Sequence, residues 1–269
     1  MNFWQAVVLG LVQGLTEFLP VSSSGHLVFL QRLFSVELEE TELFFDLILH
    51  LGTLVAVCAI FWKDVISLFK KPYKKLGYLL LASVPAAIVG FLLDDLIEKY
   101  FYGGAFLSAG FLVTAAVLFA TEIYAKRRKK ELPLSLKTVI PMGLAQAVAV
   151  LPGISRSGST ICAGTLAGGR TEDVTEFSFL MSIPVILGGF LVSLVKGLIK
   201  GEIQAAFRTA PSSFGLCVAL GFVCSAFAGL FAIKIMLKAI KKANYKWFSL
   251  YLVALAIVCI TLYSLGLFN

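Results

Sequence analysis

Charged side chains are scarce in this chain. Asp, Glu, Lys and Arg together make up 14% of its 269 residues, while 59% are hydrophobic and the mean hydropathy is +0.91. A soluble domain carries about a quarter charged residues. The shortage excludes an ordinary water-soluble domain, because the excess apolar surface needs lipid as its solvent. No segment is long enough to form a soluble basic domain, so the net charge of +7 is not expected to mark a nucleic-acid face. The five cysteines (Cys58, Cys162, Cys217, Cys224 and Cys259) include no CxxC, and they fit small buried hydrophobes. A basic n-region and an A-x-A-like site are missing after Met1-Asn2-Phe3-Trp4, so a cleaved signal peptide is not expected. Alternating ten-residue apolar segments are missing too, which argues against a membrane β-barrel.

What is present is a set of long apolar runs. Six look like full transmembrane helices, over about 43–62, 77–97, 104–123, 175–196, 213–233 and 247–267. Two further pieces are too short to span. One is 3–16, then T-E-F-L-P-V-S-S-S-G-H, then 27–34. The other is 138–151, then P-G-I-S-R-S-G-S-T, then 161–169. Each limb covers roughly 12–21 Å, less than the ~30 Å hydrocarbon core. A Pro/Gly/Ser break between two short limbs predicts a re-entrant hairpin, tolerated at membrane depth only where protein or water surrounds it.

The two hairpins resemble each other. Gly10-Leu11-Val12-Gln13 returns as Gly143-Leu144-Ala145-Gln146, Leu19-Pro20 as Leu151-Pro152, and Ser24-Gly25 as Ser157-Gly158. Each copy is followed by three spans, so pseudo-repeats 1–124 and 137–269, joined by a basic cytoplasmic loop, are expected within one membrane domain. Three spans is an odd number, which inverts the second copy. With the N-terminus outside, the inside loops hold seventeen Lys and Arg against five outside. The expected fold is therefore all-α, with about six spans and two re-entrant hairpins in an inverted-topology repeat. The hairpin tips are expected to meet near the midplane.

The polar groups of those tips are the candidate site. Glu17 is a carboxylate inside an apolar hairpin, and such a group usually has a partner or a task. Gln13 lies one turn earlier on the same face, so the two offer oxygen ligands to a hard cation, or a base and its anchor. Ser22, Ser23, Ser24, Gly25 and His26 follow ahead of a new helical limb, whose N-terminus suits an anion. In the second tip, Arg156 sits among Ser155, Ser157, Gly158, Ser159 and Thr160. A lone Arg in that setting seeks an anion, and its fork matches phosphate oxygens. A purely structural Arg156–Glu17 pair is the competing reading. The G-K-[ST] ending of a Walker loop is missing. Asp46 and His50 are expected to form a structural polar pair at the start of a span. Asp94, Asp95 and Glu98 are expected at a solvated helix end, and Pro85 and Pro184 at kinks.

Glu17-Phe18-Leu19-Pro20-Val21-Ser22-Ser23-Ser24-Gly25-His26 and Leu151-Pro152-Gly153-Ile154-Ser155-Arg156-Ser157-Gly158-Ser159-Thr160 resemble the two signatures of the bacterial undecaprenyl-diphosphate phosphatases, also called bacitracin-resistance proteins. The spacing matches across essentially the whole chain. The resemblance implies hydrolysis of undecaprenyl diphosphate to the monophosphate carrier used in peptidoglycan assembly, a divalent metal, an outward-opening site in the cell membrane, and bacitracin resistance. The family's acidic motif falls on Gln13 and Glu17, its serine/histidine motif on Ser22, Ser23, Ser24 and His26, and its arginine on Arg156. Mg²⁺ or Ca²⁺ is expected near Glu17 and Gln13. Ser23 is the expected nucleophile with His26 as base or acid, while attack by His26 or by water stays open. Arg156 is expected to act with Gln13, Ser22, Ser24, Gly25, Ser155, Ser157, Gly158 and Thr160 in holding phosphate. The expected partners are the lipid diphosphate and membrane lipid, with a homodimer left open and no nucleic acid. A transporter that flips a polyprenyl phosphate could use the same groups.

Overall fold

A computed structural model describes residues 1–34, 40–101, 104–128, 130–201, 213–240 and 244–266, without the side chains of 40–43, 94–95, 98–101, 104–105 and 240. The described residues form eleven α-helices in chain order and one isolated parallel bridge, Leu132 to Gly169. The side chains of Asp94, Asp95 and Glu98, and the stretch 202–208 of an expected outside loop, lie outside what is described.

The first hairpin is α1 (Phe3–Phe18) followed by α2 (Ser23–Leu33). Asn2 caps α1 by accepting from Gln5 N–H, in a capping box. Leu19, forced extended by the following Pro20, ends it. The second hairpin is α7 (Leu136–Val148) and α8 (Arg156–Leu166). Its second limb starts at Arg156 rather than near 161, so S-R-S-G-S-T forms the first turn of a helix instead of a loop. The same holds for Ser23 to His26 in α2.

Five helices are long and apolar enough to cross a membrane over Lys74–Leu93, Phe106–Arg127, Thr171–Lys200, Phe214–Ala239 and Lys246–Ser264. They belong to α5 (Lys74–Phe101), α6 (Gly104–Arg127), α9 (Thr171–Lys200), α10 (Phe214–Ile240) and α11 (Lys246–Ser264). The run expected as a sixth straight span is different. It is α3 (Glu40–Ile60), which turns by 85° into α4 (Trp62–Leu68), a geometry that fits a broken span or a re-entrant segment, so the described helices make five spans, or six if the bent pair is one. Pro85 lies inside α5 and Pro184 inside α9. The chain is a multi-pass, all-α integral membrane protein.

The polarity of the surface follows from lipid as solvent. Large apolar side chains such as Phe91, Leu92, Phe227 and Trp247 face outward, while Gln13, Thr160, Thr175 and Ser178 are buried. Buried polar groups need partners, so they gather where helices meet. The first limb of each hairpin packs most closely against a spanning helix of the other half, α1 against α10 and α7 against α5. The glycine shared by the two motifs permits each approach. A Cβ on Gly10 would lie 2.5 Å from the Gly221 carbonyl oxygen, and one on Gly143 would lie 2.9 Å from Ala82 Cα. Both hairpin tips are thereby pressed into one interior.

Candidate active site

The site begins with Glu17, at the last turn of α1, with its side chain 6% exposed. Its carboxylate is gripped from several sides. Oε1 accepts from Arg156 Nη2 at 2.6 Å. Oε2 accepts from Ser23 Oγ at 2.6 Å and from Gln13 Nε2 at 3.0 Å. Three different helices supply those donors. This concentration of donors is what lets a carboxylate stay ionised away from water.

Arg156 is the first residue of α8 and is oriented by a second bond, from Nη1 to the Ser178 carbonyl of α9 at 3.2 Å. The helix starts there because Ser155 caps it, its Oγ accepting from Gly158 N–H at 3.0 Å. Thr114 of α6 accepts the Ser155 N–H at 3.1 Å and fixes the tip from below. Ser157 Oγ donates to the Leu19 carbonyl at 2.9 Å, and Gly158 faces Pro20. The two tips therefore meet, as expected. Thr160 hydrogen-bonds Ser178 Oγ at 2.6 Å and the Arg156 carbonyl at 2.9 Å, so it braces the arginine's turn instead of facing open space.

In the first tip Ser22 is the N-cap of α2 and has φ of +68°, a left-handed conformation rare outside glycine. Such strain persists only where surroundings over-determine it, and it clusters at functional sites. Ser22 Oγ accepts from Gly25 N–H at 3.3 Å, and its carbonyl accepts from His26 Nδ1 at 2.7 Å. Gly25 is needed because a Cβ there would lie 2.5 Å from the Phe111 ring. Ser24 is half-buried beside it.

One expected arrangement is not formed. The ring nitrogens of His26 are taken by the Ser22 carbonyl and by Tyr251 Oη at 2.7 Å, whereas the Ser23 hydroxyl points to Glu17. The group placed to receive the Ser23 proton is Glu17, not His26. The Asp46–His50 pair also differs. His50 Nδ1 bonds the Asp46 backbone carbonyl at 2.7 Å, the Asp46 carboxylate accepts from Gln31 Nε2, and His50 Nε2 stands 3.8 Å from Glu17 Oε2. His50, Tyr251 and Ser178 thus border the site; sequence reasoning passed over Tyr251 and Ser178 and read His50 as half of a structural pair. Only His50 left a signal, as a histidine one turn from an acid.

Gln13 Oε1 is buried without a hydrogen-bond partner among the described residues. An amide oxygen free beside a carboxylate is a donor set that fits a hard divalent cation. No group of three His, Cys, Asp or Glu side chains capable of holding a metal occurs among the described residues. Two helix N-termini, at Ser23 and Arg156, add N–H groups that have no carbonyl one turn earlier to accept them, which favours negative charge between the tips.

The family model described as bacitracin resistance protein BacA matches residues 6–258. Curated relatives named undecaprenyl-diphosphatase are similar over their full lengths. That of Carboxydothermus hydrogenoformans is 39% identical over 100% of both chains. That of Parabacteroides distasonis is 39% identical over 97% of this chain and 98% of its own, and that of Methanosphaera stadtmanae 36% over the same shares.

Proposed function

The chain belongs to the bacitracin resistance protein BacA family, and on that premise we propose that it hydrolyses undecaprenyl diphosphate to undecaprenyl phosphate and inorganic phosphate. This recycles the lipid carrier of peptidoglycan synthesis and confers bacitracin resistance. The observation that carries the reading is the Ser23–Glu17–Arg156 chain, which joins a hydroxyl, an acid and a guanidinium across two buried tips.

Cleavage of a phosphoric anhydride is mostly positioning and charge stabilisation. Arg156 meets the phosphate oxygens with its planar fork while Ser178 holds its other nitrogen. The N-termini of α2 and α8, with Ser22, Ser24, Gly25, Ser155, Ser157 and Gly158, build the polar walls of the anion site, and Thr160 braces the Arg156 turn behind them. Ser23 attacks the terminal phosphorus and passes its proton to Glu17, already in hydrogen-bond contact. The P–O bond to the lipid monophosphate breaks, and water then releases phosphate from Ser23. Mg²⁺ or Ca²⁺ would be held by Glu17 and Gln13 and would neutralise phosphate charge.

The excess of Lys and Arg in the loops near 63–76 and 124–137 supports placing both termini and the mouth of the site on the outer side. The exchanged packing of α1 on α10 and α7 on α5 supports reading the halves as inverted copies.

The test is phosphate release from undecaprenyl diphosphate by the detergent-purified protein, with and without chelator. An enzyme releases phosphate there. A folded protein that leaves the lipid uncut would sink the reading and favour a transporter.

A further inference from the structure

His26 is caught between two partners that come from different parts of the chain. Its Nδ1 lies 2.7 Å from the Ser22 carbonyl, which can only accept, so Nδ1 carries the proton. In the neutral ring Nε2 is then an acceptor, and the hydroxyl 2.7 Å from it, that of Tyr251, is the donor. The two residues are 225 positions apart and their ring planes differ by 10°. Phe111 of α6 closes the third side, edge to face with a centroid separation of 5.7 Å. Tyr251 is itself set by α11, which Ser249 ties to α6 through a 2.8 Å bond from its Oγ to the Ala115 carbonyl. Tyr251 is 47% exposed, so its ring forms part of the outer apolar surface while its hydroxyl turns inward.

The geometry points to Tyr251 as a positioning residue that holds His26 in one tautomer and one orientation, and through His26 holds the strained Ser22 turn that aims Ser23. The argument rests on the phosphatase reading of the site. An imidazole with one nitrogen anchored by a carbonyl and the other free can turn its ring over, and both tautomers then compete. Turning over would cost the Ser22 carbonyl its shorter bond, at 2.7 Å, and leave it only the His26 backbone N–H at 3.2 Å. Ser22, at φ +68°, would lose the shortest of the bonds that hold its strained turn and keep those from the His26 and Gly25 N–H groups. Ser23 is the next residue, so a relaxed Ser22 would move Ser23 Oγ off Glu17. A second partner on Nε2 removes that freedom. Tyr251 thus acts on neither the nucleophile nor its base directly; a tyrosine from the last helix fixes the ring that braces the nucleophile's turn.

The test uses Tyr251→Phe, which keeps the ring and deletes the hydroxyl. Its kcat for phosphate release should fall about tenfold with KM within twofold of wild type, in the range lost with outer-shell partners of catalytic groups. A spectroscopic readout separates positioning from packing. The chain has two histidines, so ¹⁵N-histidine labelling in detergent gives two sets of ring resonances, assigned with His50→Gln. In the wild type, His26 should show a protonated Nδ1 and a hydrogen-bonded, unprotonated Nε2. In Tyr251→Phe the Nε2 resonance should move toward that of an unbonded ring nitrogen. A Tyr251→Phe enzyme with wild-type kcat, or an unmoved Nε2 resonance, would overturn the proposal. His26→Ala distinguishes the two levels. Normal phosphate release from it would overturn the role of His26 in the site, and the tyrosine's with it. Lost release there, beside a normal Tyr251→Phe enzyme, would overturn the tyrosine alone.

Discussion

Arg156 and Glu17, 139 residues apart, share a 2.6 Å hydrogen bond between an arginine at the start of one short helix and an acid at the end of another. Neither motif contains a complete phosphate site. One brings the acid and the hydroxyls and the other brings the cation, and this bond marks where they are joined. It leaves the guanidinium held by a carboxylate, and in the proposed reaction phosphate oxygens would compete with that carboxylate for it.

Arg156→Ala should lower phosphate release by about 100-fold or more, the range seen when a preorganised charge partner of the transition state is removed. It also leaves a 6% exposed carboxylate without its cation, and breaking such a buried pair costs about 3–5 kcal/mol. Thermal unfolding in detergent should therefore shift down together with activity. Unchanged turnover in the folded variant would remove Arg156 from the site.

Ser23→Ala deletes the hydroxyl that donates to Glu17 Oε2 and should reduce kcat by at least about 100-fold. Rapid quench of the wild type with labelled terminal phosphate should capture label on Ser23. A Ser23→Ala enzyme at normal rate would shift the attack to water without changing the family assignment.

Chelation should abolish most activity, and added Mg²⁺ or Ca²⁺ should restore it. Gln13→Ala removes a buried amide oxygen that has no partner among the described residues, so it should raise the metal concentration needed for half-maximal rate. Gln13→Glu should lower it by adding charge. A metal titration of phosphate release gives both values. An identical titration for all three proteins would exclude Gln13 as a ligand.

Gly110→Ala should loosen the site from a distance. A Cβ at Gly110 would lie 2.7 Å from the Gly153 carbonyl carbon and 2.7 Å from the Pro152 oxygen, all backbone atoms of the second tip. Backbone cannot step aside as a side chain does, and overpacking of this kind costs about 1–3 kcal/mol. The expected result is a lower melting temperature and a lower kcat in the same preparation. A Gly77→Ala control, where no atom lies within 4 Å, should change neither.

Much of this organisation was legible in the chain. Apolar run length predicted five of the spans, because a lipid-exposed helix must be apolar along its whole length. Pro20 and Pro152 with their serines marked the two breaks, and Gln13, Glu17, His26 and Arg156 stood out as polar groups where lipid allows few. The bend between α3 and α4 falls at the end of the apolar run 43–62, just before Lys63 and Asp64, where run length marks an end and says nothing of the direction the chain takes next. The partner of His26 did not stand out, since Tyr251 sits in an apolar span among eight tyrosines and nothing local aims its hydroxyl.

The sequence by itself determined that this protein lives in lipid, that it carries two matching hairpins, and which side chains could do chemistry. Those conclusions rest on composition, periodicity and residue type, which are local properties. Only the tertiary structure decided the pairings: Ser23 with Glu17 rather than with His26, His26 with Tyr251, and His50 turned toward Glu17 instead of the Asp46 carboxylate. A hydrogen bond is chosen by distance and angle. For side chains on different helices, those depend on how α1, α2, α3, α8 and α11 are packed, which no local pattern encodes.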